Sequence, residues 1–343
     1  MLEKQTESEK LFALLEQLPE FCNSLYVGRA SERALNTRLS YVRDVTKFFE
    51  YLHDTHPYFC VIDIKAITPA DMANVSVADM DKFIELYAGN HSPTTAARMK
   101  ASISSMYEYL TNTLHATPFN PMHGAQKIKL PDKDFVIYLN LEEQEKLLNT
   151  IRYGEGLSDR RKKLHQRYAV RDLAMIFLFL DTGLRASEMR GIDNGDFDLE
   201  ECSVIVRRKG GKLSKIYFSD ESAAYIRDYI NEKEILYPMY CGRSEAFLIS
   251  ERGTRLTVRQ YENIVEKYVA AALPEKKDHI SPHKLRSSFA LSFYMRPAEE
   301  GGRDILALQR RMNHKSLQTT NIYAKAADNI SKETRNWRNK EVT

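Results

Sequence analysis

The sequence predicts a mainly α protein with one small β-hairpin or sheet, folded as two domains. Three observations carry that prediction. Apolar residues recur at three- and four-residue spacing over most of the 343 positions. Only two runs, Ser203–Arg208 and Leu213–Phe218, have β-prone composition, and they meet around Gly210-Gly211. Pro118, Pro121 and Pro131 punctuate a stretch without apolar periodicity, Phe119–Asp134, which marks a linker. The boundaries that follow are a helical domain over 1–118, a linker over 119–134, a second domain over 135–330 and a tail over 331–343.

Bulk properties narrow the class. With 43% hydrophobic and 28% charged residues the chain reads as an ordinary globular protein. A net charge of +3 neither demands nor excludes a nucleic-acid partner, so local clusters must decide. Cys22, Cys60, Cys202 and Cys241 are widely spaced and form no CxxC, which suits unpaired thiols in a reducing compartment. The longest apolar run, Leu173–Leu180, is too short to span a bilayer. The first residues, MLEKQTESEK, lack a secretory apolar core. A cytoplasmic protein is expected.

In the first domain, Leu11, Leu14, Leu15 and Leu18 form one amphipathic stripe. Ser31 is a candidate cap for a second helix carrying Leu35, Leu39, Val42, Phe49 and Leu52. Arg33, Arg38, Arg43 and Lys47 lie off that stripe and give it a basic flank. A helix follows at about Val77–Ala88, and Ser92-Pro93 opens another, with Met99, Ile103, Met106 and Leu110 inward and Arg98 and Lys100 outward. These charges read either as solvated faces or as a clamp on a phosphate backbone.

In the second domain, Leu141–Ile151 restarts helical patterning. Ser158–Asp172, SDRRKKLHQRYAVRD, carries a dense basic run that reads as a loop, either solvated or close to a polyanion. Leu173–Leu180 is apolar all round and predicts a buried helix. Gly183 breaks it, and Arg185 begins the next helix, placed either to hold a phosphate or to pair with Glu188. Lys209 stands at the hairpin turn with Lys212 and Lys215 nearby. Ser219-Asp220 caps the following helix, a turn at Gly253-Thr254 precedes another at Val258–Ala272, and Ser281-Pro282 starts a third. That start sets His283 and Arg286 one turn apart on the same face. Pro282 disturbs the spacing that a zinc pair of His279 and His283 would need, and no third ligand stands nearby. Finally, Met312–Tyr323, MNHKSLQTTNIY, sets His314 nine positions ahead of Tyr323, one of 19 tyrosines.

Taken in order, TGLRASEM, RRKGGK, HKLR and the NH…Y spacing resemble the tyrosine recombinase (phage integrase) family, in size most like its Xer branch. The basic run before the apolar helix is similar to the XerS type. The resemblance covers nearly the whole chain. It implies a SAM-like helical core-binding domain followed by an α+β catalytic domain. It makes Arg185 and Arg286 the phosphate-binding arginines, His283 and His314 the active-site histidines and Tyr323 the nucleophile. Lys209 becomes the hairpin lysine, with Lys212 an open alternative, and Glu188 an acidic residue supporting the site. Asn313 departs from the glycine usual before the second histidine.

The implied chemistry is strand exchange on double-stranded DNA through a 3′-phosphotyrosyl bond. A phenol suits it because it is both nucleophile and leaving group. With an unperturbed pKa of about 10 it needs nearby cations or a base. Two arginines at the phosphate make a metal unnecessary, so no cofactor is expected. Arg33, Arg38, Arg98, Lys100 and Lys212 are the expected DNA contacts. The family also implies a homotetramer at synapsis, a monomer or dimer otherwise, and a tail that docks on a neighbour. Chromosome-dimer resolution and mobile-element integration both fit. A type IB topoisomerase and a non-catalytic DNA-binding protein are the rival readings.

Overall fold

The computed structural model describes residues 6–29, 31, 33–130, 136–208, 210–236 and 245–340, the side chains of 164, 298 and 332–340 excepted. The chain divides into two compact units, Met1–Asp132 and Lys133–Thr343.

The first unit is helical. It contains α1 (Glu7–Leu15), α2 (Glu20–Tyr26), α3 (Leu35–Thr55), α4 (Val77–Asn90) and α5 (Pro93–Asn112). Local signals set most of the starts. Thr6 with Glu9 and Ser76 with Asp79 form reciprocal capping boxes, and Ser92 accepts from the amide of Thr95 ahead of Pro93. Two expectations are corrected. The first stripe is split, because Pro19 lacks the N–H a continuing helix needs, so Leu18 is buried outside α1 and α2 starts anew. Ser31 is not the cap of α3, which begins at Leu35 behind Ala34. The core joins Val42, Val45, Phe48, Phe49 and Leu52 of α3 to Phe83 of α4 and to Met99, Ile103, Met106 and Leu110 of α5. Full burial of each such side chain contributes roughly 1.5–3 kcal/mol, so packing holds these helices more than propensity does. Residues after α5 stay with this unit. Asn120 caps a short 3-10 turn whose Met122 is buried, and the amide of Gln126 donates to Asp81.

The second unit contains α6 (Leu141–Tyr153), α7 (Asp159–Thr182), α8 (Ala186–Arg190), α9 (Asp220–Leu236), α10 (Val258–Ala272), α11 (Pro282–Tyr294), α12 (Ile305–Met312) and α13 (Leu317–Lys340). A small antiparallel sheet comprises β1 (Phe197–Asp198), β2 (Ser203–Arg207) and β3 (Leu213–Tyr217) in that order. Val204 pairs with Ile216 and Val206 with Ser214, and Gly210 and Gly211 turn the hairpin at positive φ. β1 adds a strand to the hairpin that composition suggested.

The basic run Ser158–Asp172 is not a loop. It forms the first half of α7, continuous with the apolar Leu173–Leu180. Arg, Lys, Leu, Gln and Ala are good helix formers, and one face of the run is buried. There His165 meets the Tyr268 hydroxyl at 3.1 Å, and Arg171 and Lys267 flank Asp172, which is 0% exposed. α11 packs on α7 and α13 and is buried from Leu285 through Leu291. No described helix is long and apolar enough to cross a membrane.

Candidate active site

Arg185 owes its position to a glycine. α7 ends at Gly183 with φ 63°, and a Cβ there would lie 2.2 Å from the Phe289 ring. The chain therefore turns sharply, and Arg185 becomes the N-cap of α8. Its amide donates to Oε2 of Glu188 at 2.9 Å and its Nη1 to Oε1 at 2.8 Å, while Nη2 reaches the Asn313 carbonyl at 3.4 Å. Arg185 thus pairs with Glu188, and its side chain remains 38% exposed.

Arg286 rises from α11 and is 2% exposed. It donates Nη1 to the Gly183 carbonyl and Nη2 to the Met312 carbonyl. Nη2 also lies 3.3 Å from Nε2 of His314, and Glu188 Oε2 is 3.9 Å from Nη1. α12 ends at Asn313 in the left-handed region, φ 48°, which delivers His314 to the cluster. On the far side of that ring, Nδ1 lies 3.0 Å from the Thr320 hydroxyl. Tyr323, on α13, is 4% exposed and stacks beside His314, ring centroids 6.4 Å apart and planes 14° apart. Its phenol is within electrostatic range of Arg286. His283, one turn before Arg286, is the more exposed imidazole. The structure thus gathers Arg185, His283, Arg286, His314 and Tyr323. Lys209 lies outside the described residues, and Lys212 is exposed beyond the turn.

Sequence reading missed Arg208. It is 5% exposed and donates Nη1 to Oε2 of Glu188 at 2.9 Å. Three guanidiniums therefore surround one carboxylate. Burial alone would raise the Glu188 carboxyl, but the Arg185 amide and the charge of Arg208 hold it below the usual range. Burial and the charge of Arg185 push Arg286 down to about 10. Burial and the charges of Arg286, Arg185 and His283 push His314 down to about 4. Partial burial with Lys284, Arg286 and Arg185 lowers His283 as well. Desolvated positive charge in excess of its counter-charge is costly, and an anion with several acceptor oxygens relieves it. Among the described residues, no group of three or more His, Cys, Asp or Glu is placed to hold a metal ion.

The basic side chains expected outside the first unit's core are mostly engaged within it. Arg98 pairs with the buried Asp44, which also accepts from Ser102 at 2.7 Å. Lys100 is half-buried, and its ammonium donates to the carbonyls of Ala125 and Gln126 at 2.8 and 2.7 Å. Arg33 donates to Ser105 at 2.7 Å and Arg38 to the Tyr26 carbonyl at 2.9 Å. A buried carboxylate and unsatisfied carbonyls need these donors, so Arg98 and Lys100 are not a freely solvated face.

Known proteins resemble the chain in sequence and in fold. The sequence profile of the phage integrase family covers residues 138–329. The tyrosine recombinase XerC of Caldanaerobacter subterraneus subsp. tengcongensis is 31% identical over 327 residues, 92% of this chain and 84% of the relative. The tyrosine recombinase XerS of Streptococcus thermophilus is 26% identical, over 92% of this chain and 94% of that one. The fold is similar to that of the XerH site-specific recombinase in a post-cleavage complex with a palindromic difH substrate. That similarity has a TM-score of 0.71 at 19% identity, over 98% of this chain and 90% of that one. It is also similar to a lambda integrase dimer bound to a COC′ core site, with a TM-score of 0.60 at 14% identity, over 87% and 95% of the two chains. With a family profile across the whole site and a relative of this identity along almost its full length, the chain belongs to the phage integrase family and is a site-specific tyrosine recombinase of the Xer type.

Proposed function

We propose that the chain cuts and rejoins double-stranded DNA with Tyr323 as nucleophile. The observation that carries this reading is the cluster of Arg185, Arg208 and Arg286 around the single carboxylate of Glu188, with the buried phenol of Tyr323 stacked beside His314. The phenol oxygen attacks the scissile phosphorus and the 5′ oxygen departs, leaving a 3′-phosphotyrosyl bond whose energy is kept for rejoining. Arg185, Arg286 and His314 hold the non-bridging oxygens as charge builds. A positioned arginine at a phosphoryl transition state is worth roughly 10³–10⁵ in rate. His283, exposed at the mouth and poor in protons at neutral pH, takes the phenolic proton. Lys209 gives a proton to the departing 5′ oxygen. Glu188 does not touch the phosphate; it orients Arg185 and Arg208.

In this reading the first unit is the core-binding domain, and the protein acts in the cytoplasm as a homotetramer on two paired sites, most simply in chromosome-dimer resolution. Recovery of covalently trapped DNA from cells identifies the site, and a plasmid carrying two copies then tests the reaction. Recombinant product that requires both copies is expected. Relaxation of a plasmid with one copy or none, without recombinants, would mark a type IB topoisomerase instead. Binding without any covalent adduct would mark a non-catalytic DNA-binding protein.

A further inference from the structure

His314 has two ring nitrogens, and only one of them faces the arginine cluster. Nε2 lies 3.3 Å from Nη2 of Arg286, and Nδ1 points away to the Thr320 hydroxyl at 3.0 Å. Thr320 is 0% exposed, sits in the first turn of α13 and shares a face with Tyr323 three residues on. A helical threonine often returns its hydroxyl to the carbonyl four residues back, as Thr182 does to Leu178. Among the described residues Thr320 makes no such bond, and its hydroxyl is aimed at the imidazole.

An arginine has no acceptor, so Arg286 must donate and Nε2 must accept in the free protein. The single ring proton then sits on Nδ1 and is donated to Thr320. A phosphate oxygen at the cluster is an acceptor and reverses the demand, because Nε2 must now carry the proton. A hydroxyl serves both states, since rotation about its C–O bond turns it from acceptor to donor. A carbonyl or carboxylate in its place would serve only the first.

Taking His314 to face the scissile phosphate, as proposed above, we infer that Thr320 is a positioning residue for cleavage: it fixes the imidazole ring and admits both of its neutral tautomers. When the phosphate arrives, one proton leaves Nδ1 to solvent and one is taken up at Nε2, and the Thr320 O–H turns to donate to Nδ1. The ring stays neutral and the proton count is unchanged.

The full chain and a nicked duplex carrying its mapped site test this. Single-turnover formation of the covalent adduct is measured for wild type, Thr320→Val, Thr320→Ser, His314→Ala and the Thr320→Val/His314→Ala double variant. Thr320→Val is expected to slow cleavage by about tenfold or more at unchanged duplex affinity, the loss of one hydrogen bond to a working group. Thr320→Ser restores most of the rate, and Thr320→Val adds nothing once His314 is alanine. Nitrogen-15 shifts of His314 are expected to move from an Nδ1–H to an Nε2–H ring when the duplex binds Tyr323→Phe protein. A wild-type rate in Thr320→Val, or a loss that multiplies on His314→Ala, would overturn the inference while leaving His314 in its role. A wild-type rate in His314→Ala would instead remove the role on which the inference rests. Should Thr320→Val not fold, the ring shifts decide: an Nε2–H ring in the free protein overturns the inference.

Discussion

Asn313 turns the corner on which the site depends. Its carbonyl receives Arg185, the carbonyl before it receives Arg286, and the next residue is His314. With φ 48° and ψ 52° it occupies the left-handed region, open to glycine and tolerated by asparagine but costly for branched side chains. The departure from the family's glycine is thereby explained: the backbone demand is kept and a different residue meets it. Asn313→Gly should leave the unfolding midpoint and the cleavage rate near wild type. Asn313→Val should lose about 1–2 kcal/mol in thermal unfolding and cleave more slowly. Arg208 is equally legible in the sequence. Val204 and Val206 face inward on β2, and the two-residue period carries straight on to Arg208. Its partner, Glu188, lies too far upstream for any local pattern to announce the pair. Tyr323, His314, Arg185, His283 and Arg286 could be picked out because each sits in a short motif whose spacing survives folding.

At the scale of elements, α7 teaches the most. Its apolar half was readable and its basic half was not, because the buried face of residues 165–172 is mostly polar. His165, Arg171 and Asp172 are inside with Tyr168, so hydrophobic periodicity reports little there. Burial alone would raise the Asp172 carboxyl, and the charges of Arg171 and Lys267 overcome that and hold it low. Asp172→Ala removes the one buried carboxylate that both cations share and should cost about 3–5 kcal/mol, seen as a lower denaturation midpoint. The other end of α7 makes a stricter demand. Gly183→Ala meets both positive φ and the Phe289 ring, and a loss of about 2–5 kcal/mol in chemical denaturation is expected. A Gly183→Ala protein as stable as wild type would mean that the Arg185 corner is not held as described.

For the molecule as a whole, a net charge of +3 conceals where the positive charge lies. Folding concentrates it in the second unit around Glu188, while the first unit spends much of its own on internal partners. The two histidines make this visible as a pH dependence. In the unfolded chain they take up protons near pH 6.5, but in the folded protein His314 does so only near about 4, and His283 is also shifted down. Between those values the unfolded state binds more protons, so stability rises with pH and falls as pH is lowered from about 6.5 toward 4. His314→Gln should flatten that part of a Tm-against-pH curve. The central claim, that one buried phenol beside this cluster is the nucleophile, is met most directly by peptide mapping of the covalent adduct on a nicked duplex. The DNA is expected on Tyr323, with no adduct from Tyr323→Phe. An adduct on any other residue, or one that survives Tyr323→Phe, would contradict it.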